Sequence, residues 1–115
     1  MRILFICTAN LQRSVAAEEF LKRKLKEHRI SGVEVESAGT SFGARTRVTR
    51  EHIERADRIF VMEEHHLEHI RQLHDGAFRK TEVLEIPDIF MHKDDPELQE
   101  LLDSKLAPLI RELRR

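Results

Sequence analysis

The stretch RILFICTANLQRSVAAEEF, residues 2–20, decides how this chain is interpreted. Its first part, through Ile6, is an apolar run of the kind that forms a strand buried on both faces of a parallel sheet. From residue 15 onward, apolar side chains recur with helical spacing. Between the two lies a short segment that begins at Cys7 and ends at Arg13 and Ser14. We therefore predict a strand, a loop and a helix, with a thiol at the tip of the strand.

This arrangement suits the binding of an oxyanion. Unpaired N–H groups of the loop and of the first helical turn favour negative charge, as does the helix dipole. The same field favours the thiolate of Cys7, which is the nucleophilic form. Arg13 adds a planar fork that can hold two phosphate oxygens. The five residues between them allow the backbone to curl into a nest around a tetrahedral anion. The predicted phosphate-binding residues are Thr8, Ala9, Asn10, Leu11, Gln12, Arg13 and Ser14.

Two residues of this loop have a predicted structural task as well. Asn10 fits a sharp turn because asparagine tolerates a positive φ better than most residues. Ser14 can hydrogen-bond the thiolate or a loop carbonyl, and it also fits the N-cap position of the helix. The alternative interpretation of Cys7 is a small buried hydrophobic residue, which is the usual state of a free cysteine.

Composition narrows the function classes. The chain has 115 residues, which is the length of one domain, and we expect a single domain over residues 1–115. Twenty Lys and Arg residues stand against 21 Asp and Glu residues, so no global basic field favours nucleic acid. The single cysteine suits a reducing compartment, and the N-terminal apolar run is too short for a membrane span or a signal peptide. We expect a cytoplasmic protein with no nucleic-acid or membrane partner.

Strand and helix patterns alternate along the chain. Predicted strands cover residues 2–6, 33–39, 58–62 and 80–84, and predicted helices cover 14–29, 49–55, 63–73 and 95–113. Pro108 is expected to kink or divide the last helix. Alternation of this kind predicts an α/β fold with a parallel sheet.

One acidic residue is expected to meet the cysteine. Ligands of such sheets gather at the carboxyl ends of strands. Cys7 follows the first strand and Asp88 follows the fourth, so both should lie at the same edge. Because Asp88 comes after Pro87, the alternative is a plain turn residue.

The histidine-rich helix invites a metal interpretation, which we do not adopt. His65 and His69 are four residues apart, as zinc ligands on one helical face can be, and Glu64 and His66 are adjacent. No third ligand with a recognisable motif accompanies them. We interpret the segment as a solvated polar helix face and predict neither a metal nor another cofactor.

Four segments together resemble the low-molecular-weight protein tyrosine phosphatases, in the order found in that family. They are residues 3–18, with Cys7, Asn10, Arg13 and Ser14; residues 36–40 (ESAGT); residues 56–64 (ADRIFVMEE); and residues 86–88 (IPD). The resemblance implies a four-stranded parallel sheet of order 2-1-3-4, flanked by helices on both faces. It also implies phosphomonoester hydrolysis through a cysteinyl-phosphate intermediate.

The resemblance assigns a role to each matching residue. Cys7 would be the nucleophile, Arg13 would clamp the phosphate, and Asp88 would protonate the leaving alcohol and then activate water. Ser14 would assist the sulfur as it leaves. The implied partners are a phosphotyrosine protein or a small phosphomonoester, with inorganic phosphate or sulfate able to occupy the loop.

The chain also departs from the family pattern. Ala9 replaces a glycine, Gln12 replaces a second cysteine, and Ile89 and Phe90 follow Asp88 where the family usually has Pro and Tyr. The segment between residues 40 and 57 is shorter than in the family. Phe42 and Phe90 are the aromatic residues that we predict for the rim of the substrate site.

Three other functions stay open from the sequence. One is a phosphate-binding or regulatory module on the same fold with weak turnover. A second is a cysteine phosphocarrier similar to the sugar-transport IIB proteins, against which Arg13 argues. A third is arsenate reduction, for which an external thiol would have to replace the missing cysteines.

Overall fold

The computed structural model describes residues 1–115 and contains one sheet of four strands. The strands are β1 (Arg2–Cys7), β2 (Glu34–Gly39), β3 (Arg58–Val61) and β4 (Thr81–Val83). The helices are α1 (Arg13–Glu27), α2 (Arg50–Arg55), α3 (Glu64–Leu73) and α4 (Pro96–Leu113), with a 3-10 helix at Asp75–Lys80. All strand pairs are parallel, and the order is β2-β1-β3-β4. The predicted fold class and strand order are confirmed.

The two faces of the sheet are covered by different helices. Alternate side chains of a strand point to opposite faces. Ile3 and Phe5 of β1 therefore pack with apolar residues of α1 and α4, whereas Leu4 and Ile6 pack on the other side with α2 and α3. These four β1 side chains are completely buried, as the continuous apolar run predicts for a central strand. Burial on both faces fixes the position of β1, and hence of the loop that follows it.

Of the two expectations for Pro108, a kink or a division of the last helix, the division is not observed in α4. Asp95 caps the helix by accepting a hydrogen bond from the N–H of Glu97 at 2.8 Å, and Pro96 occupies the first turn. Pro108 lies on the exposed side of one continuous helix, so the helix is not divided there. Pro108 has no N–H to donate within the helix, and the burial of Leu106 and Leu109 in the core offsets the energetic cost of that lost hydrogen bond. No helix in the chain has both the length and the apolar content needed to cross a membrane.

Candidate active site

The loop between β1 and α1 is held from outside by the segment that follows β2. The carbonyl groups of four successive loop residues accept hydrogen bonds from this segment. The pairs are Cys7 O with Thr40 N (3.0 Å), Thr8 O with Ser41 N (2.9 Å), Ala9 O with Arg45 N (3.0 Å) and Asn10 O with Arg45 Nε (3.2 Å). The N–H groups of residues 8, 9, 11 and 12 have no acceptor within the chain. Outward carbonyls and free N–H groups give the loop the character of an anion-binding nest.

Gly39 makes this support possible. A Cβ atom at position 39 would lie 2.5 Å from the Thr8 carbonyl oxygen, 2.7 Å from the Ala44 Cβ and 3.0 Å from the Asn10 nitrogen. No side chain fits such a space, because these distances are far below van der Waals contact. Glycine at the end of β2 therefore lets the neighbouring backbone close against the loop.

Asn10 has the backbone conformation that the sequence predicts. Its φ is 57°, in the left-handed region, and its Nδ2 donates to Ser14 Oγ at 2.8 Å. The Asn10 Oδ1 is buried without a hydrogen-bond partner. Ala9 does not have a positive φ, so alanine at this position carries no strain of the left-handed kind.

Two donors converge on the sulfur of Cys7. Ser14 Oγ is 3.0 Å from Sγ, and the Asn10 N–H donates to Sγ at 3.2 Å. Because Ser14 Oγ accepts a hydrogen bond from Asn10, its own proton is available to the sulfur. Both contacts therefore direct a hydrogen-bond donor at the sulfur. Cys7 itself is 3% exposed and lies at the floor of the loop.

The N-cap position predicted for Ser14 is wrong. Helix α1 begins at Arg13, so Ser14 is already helical, and Gln12 occupies the N-cap without a side-chain hydrogen bond. The Ser14 hydroxyl is engaged with Cys7 and Asn10 instead. Without a side-chain cap, the first N–H groups of α1 remain free for a ligand.

Arg13 joins three separate parts of the chain. Its Nη1 donates to the carboxylate of Glu63 and, at 2.8 Å, to the carbonyl of Ile86. Its Nη2 lies 3.4 Å from Thr8 Oγ1 and 3.8 Å from Asp88 Oδ2. The residue is only 2% exposed, and a buried guanidinium is stable because these acceptors compensate its lost hydration.

The structure thus brings Cys7, Arg13 and Asp88 to one edge of the sheet, as the sequence predicts. Asp88 is 64% exposed, so its carboxyl group is accessible to solvent beside the guanidinium. The carbonyl of Ile86 fixes the base of the segment that carries Asp88. A carboxyl group in this position can exchange protons with a bound ligand.

Sequence reasoning missed two site residues, Glu63 and His66. Burial acts to raise the pKa of Glu63, but the hydrogen bond and charge of Arg13, together with His65, outweigh it and lower that pKa. The Glu63 N–H donates to His66 Nδ1 at 3.0 Å, and His66 Nε2 lies 2.8 Å from Thr8 Oγ1. Glu63 follows directly after the end of β3, and the rule that parallel strands converge at their carboxyl ends could have identified it.

His66 also corrects the interpretation of α3 as a solvated face. The residue is completely buried, because it faces the sheet edge, while Glu64 and His65 are exposed. Burial lowers the pKa of His66 to about 3, and the charges of His65 and Arg13 act in the same direction. His66 is therefore neutral at ordinary pH.

One cluster of possible metal ligands occurs here. One ligand atom each of Glu63, His65 and His66 lies within 4.8 Å of the others. Both ring nitrogens of His66 are engaged, one with the Glu63 N–H and one with Thr8, and the Glu63 carboxylate is bound to Arg13. A metal ion could use all three residues only by breaking these contacts, so the donor set does not fit one.

The two aromatic residues predicted for the rim have different outcomes. Phe42 is 86% exposed, beside the segment that supports the loop, and the Arg47 guanidinium lies 4.8 Å from its ring centroid. Phe90 is only 6% exposed and belongs to the core between α1 and α4, so its placement at the rim is wrong. The chain turns after Asp88 so that Ile89, which is 68% exposed, faces solvent and Phe90 fills the apolar layer.

Comparison with known proteins gives the same architecture. Residues 2–53 match the model of the low molecular weight phosphotyrosine protein phosphatase family. No curated protein sequence matches the chain. The tyrosine phosphatase Wzb from Escherichia coli K30, in complex with phosphate, is 27% identical over 97% of each chain, with a TM-score of 0.79. The YwlE arginine phosphatase from Geobacillus stearothermophilus is 25% identical over 98% of this chain and 92% of its own, with a TM-score of 0.77.

A third solved structure has an even higher TM-score of 0.84. It is a mutant of the YwlE arginine phosphatase with a phosphorylated active-site serine, 22% identical over 100% of this chain and 97% of its own. The resemblance inferred from sequence is therefore confirmed, over residues 2–53 by the family model and over the whole chain by the fold. The family model that matches residues 2–53 is that of the low molecular weight phosphatases, and the matching solved structures are phosphatases, which is the enzyme class that the sequence predicts.

Proposed function

We propose that this chain, which has the fold and the N-terminal sequence pattern of a low-molecular-weight phosphatase, hydrolyses phosphomonoesters through a phosphocysteine at Cys7. One observation carries the proposal. The sulfur lies at the floor of a loop with free N–H groups, receives hydrogen bonds from Ser14 and Asn10, and has Arg13 beside it. This arrangement combines a stabilised thiolate with donors for the oxygens of a phosphoryl group.

The proposed reaction has two steps. In the first, the Cys7 sulfur attacks phosphorus, an S–P bond forms, and the P–O bond to the alcohol breaks. Asp88, in its protonated form, gives its proton to the leaving oxygen. In the second, water attacks phosphorus, Asp88 takes a proton from that water, and the S–P bond breaks to release inorganic phosphate. The Ser14 hydroxyl stabilises the departing thiolate in this step.

Arg13 would hold the phosphoryl oxygens in both steps. Its guanidinium is fixed by Glu63 and by the Ile86 carbonyl, which limits its motion before substrate arrives. A group positioned in advance does not have to be ordered during the reaction, which is the main source of this kind of transition-state stabilisation. The same donors would bind inorganic phosphate or sulfate.

We propose phosphotyrosine proteins or small aryl phosphates as the substrates. Two features support an aromatic leaving group: the exposed ring of Phe42 near the loop, and the similarity to the tyrosine phosphatase Wzb. The neighbours also include arginine phosphatases, so phosphoarginine is the competing substrate to be tested. We further propose that residues 1–115 act as one catalytic domain in a reducing compartment such as the cytoplasm, where the single thiol stays reduced, without a nucleic-acid partner.

The test combines turnover with phosphate binding. The wild-type protein should hydrolyse an aryl phosphate, and Cys7→Ser should lose at least about three orders of magnitude in kcat while still binding inorganic phosphate. A parallel assay with phosphoarginine decides between the two substrate classes. Retained turnover in Cys7→Ser would reject the phosphocysteine. Phosphate binding without any turnover in the wild type would instead support a binding module.

A further inference from the structure

The hydroxyl group of Thr8 is surrounded by donors. His66 Nε2 is 2.8 Å from Thr8 Oγ1, and Arg13 Nη2 lies 3.4 Å from the same oxygen. Arg13 has no acceptor function, so in that contact the threonine oxygen must accept. The direction of the shorter contact depends on which nitrogen of His66 carries the proton.

The contact on the other side of the ring settles that question. The Glu63 N–H donates to His66 Nδ1 at 3.0 Å, so Nδ1 must be unprotonated. A neutral imidazole with a free Nδ1 carries its proton on Nε2. His66 therefore donates to Thr8, and both lone pairs of Thr8 Oγ1 are occupied, one by His66 and one by Arg13.

The proton of the Thr8 hydroxyl has no acceptor in the chain, although Thr8 is the first residue of the loop after Cys7. It is an uncommitted donor next to the free N–H groups that line the anion site. Nothing in the reaction proposed above uses either Thr8 Oγ1 or His66.

We propose that His66 is a positioning residue for the phosphate site: by donating to Thr8 Oγ1, it makes the Thr8 hydroxyl a donor to an oxygen of the bound phosphoryl group. This inference rests on the proposed function and names the residues that complete the oxyanion site. The neutral buried state of His66 keeps the direction of the hydrogen bond constant across ordinary pH.

Paired variants test the direction of these hydrogen bonds. Thr8→Val has nearly the same shape without the hydroxyl, and we expect it to weaken binding of inorganic phosphate, and to lower kcat/KM for an aryl phosphate, roughly tenfold each. His66→Phe removes the donor to Thr8 and should produce a loss of the same size. His66→Gln places an amide N–H where Nε2 lies and should restore most of the binding. His69→Gln, on the same helix and outside the network, is the matched control.

The two positions should also depend on each other. In the Thr8→Val background, His66→Phe should cause no further loss, because its effect passes through the hydroxyl that is already missing. Independent, multiplicative losses would contradict the inference. So would Thr8→Val with unchanged phosphate affinity, which can be measured even if the His66 variants fold poorly.

The failure of this inference and the failure of the proposed function are separable. Phosphate binding is measured by calorimetry in the Cys7→Ser background, where no turnover is needed. If Thr8→Val changes nothing there while wild-type turnover is intact, the role of His66 is refuted and the phosphatase proposal stands. If wild-type turnover is absent but Thr8→Val weakens phosphate binding, the phosphatase proposal is refuted and the role of the Thr8 hydroxyl in phosphate binding stands.

Discussion

Acidification should destabilise this protein through one buried histidine. The pKa of His66 is lowered to about 3 in the folded state by burial and by neighbouring positive charges, from an ordinary value of 6.5. Protonation would also break the hydrogen bond that Nδ1 accepts from the Glu63 N–H. The unfolded chain, in contrast, binds a proton at this residue as soon as the pH falls below about 6.5.

The sign and the size of the effect follow from proton linkage. Because the folded-state pKa is the lower one, the stabilising contribution is complete above about pH 6.5 and is lost progressively as the pH falls toward 3. Each pH unit within that window costs about 1.4 kcal/mol of unfolding free energy. Between pH 7 and pH 5 the loss attributable to His66 is therefore about 2 kcal/mol, a large part of the stability of a typical small domain.

Urea unfolding at pH 7, 6 and 5 measures this contribution. Over this range His66→Gln should lose about 2 kcal/mol less stability than the wild type, because it has no imidazole to protonate at that position. The comparison cancels the titration of the other histidines and carboxylates. If the wild type and His66→Gln show the same pH dependence, His66 is not held neutral and the hydrogen-bond directions inferred for it are wrong.

Three further predictions concern other parts of the molecule. Asp88→Asn should lower kcat by roughly 10²- to 10⁴-fold for an alkyl phosphate and much less for nitrophenyl phosphate, because the nitrophenolate leaving group needs no proton. Equal losses of kcat for the two substrates would reject the role of Asp88 as the general acid. Gly39→Ala should destabilise the fold by about 1–3 kcal/mol and weaken phosphate binding, because a Cβ would lie 2.5 Å from Thr8 O and 2.7 Å from Ala44 Cβ. Thermal unfolding measures the loss of stability, and calorimetry measures the phosphate affinity. Leu106→Ala, far from the loop in the completely buried stripe of α4, should cost about 2–5 kcal/mol of stability while the folded fraction keeps its kcat, and a comparable loss of kcat would contradict that separation.

The loop itself was accessible from sequence because its parts are close together along the chain. Cys7, Asn10 and Arg13 lie within one strand–loop–helix unit, so local rules for strands, positive φ and helix starts were enough to place them. The departures from prediction at Ser14 and Phe90 have another origin. A helical serine can cap its own helix or hydrogen-bond a sulfur, and an aromatic residue can face solvent or the core. In each case the outcome depends on which residues the fold packs against that side chain.

The sequence by itself determined the alternation of strands and helices, the order of the motifs and the identity of the chemical groups at the sheet edge. Only the tertiary structure decided that Arg13 is bound by Glu63 and the Ile86 carbonyl, and that His66 is buried against Thr8. These partners are 50 or more residues apart, and the parallel register that places Ile6 beside Val61 brings them together. Hydrogen-bond partners at such separations depend on the exact position of one strand end relative to another, which no local pattern in the chain encodes.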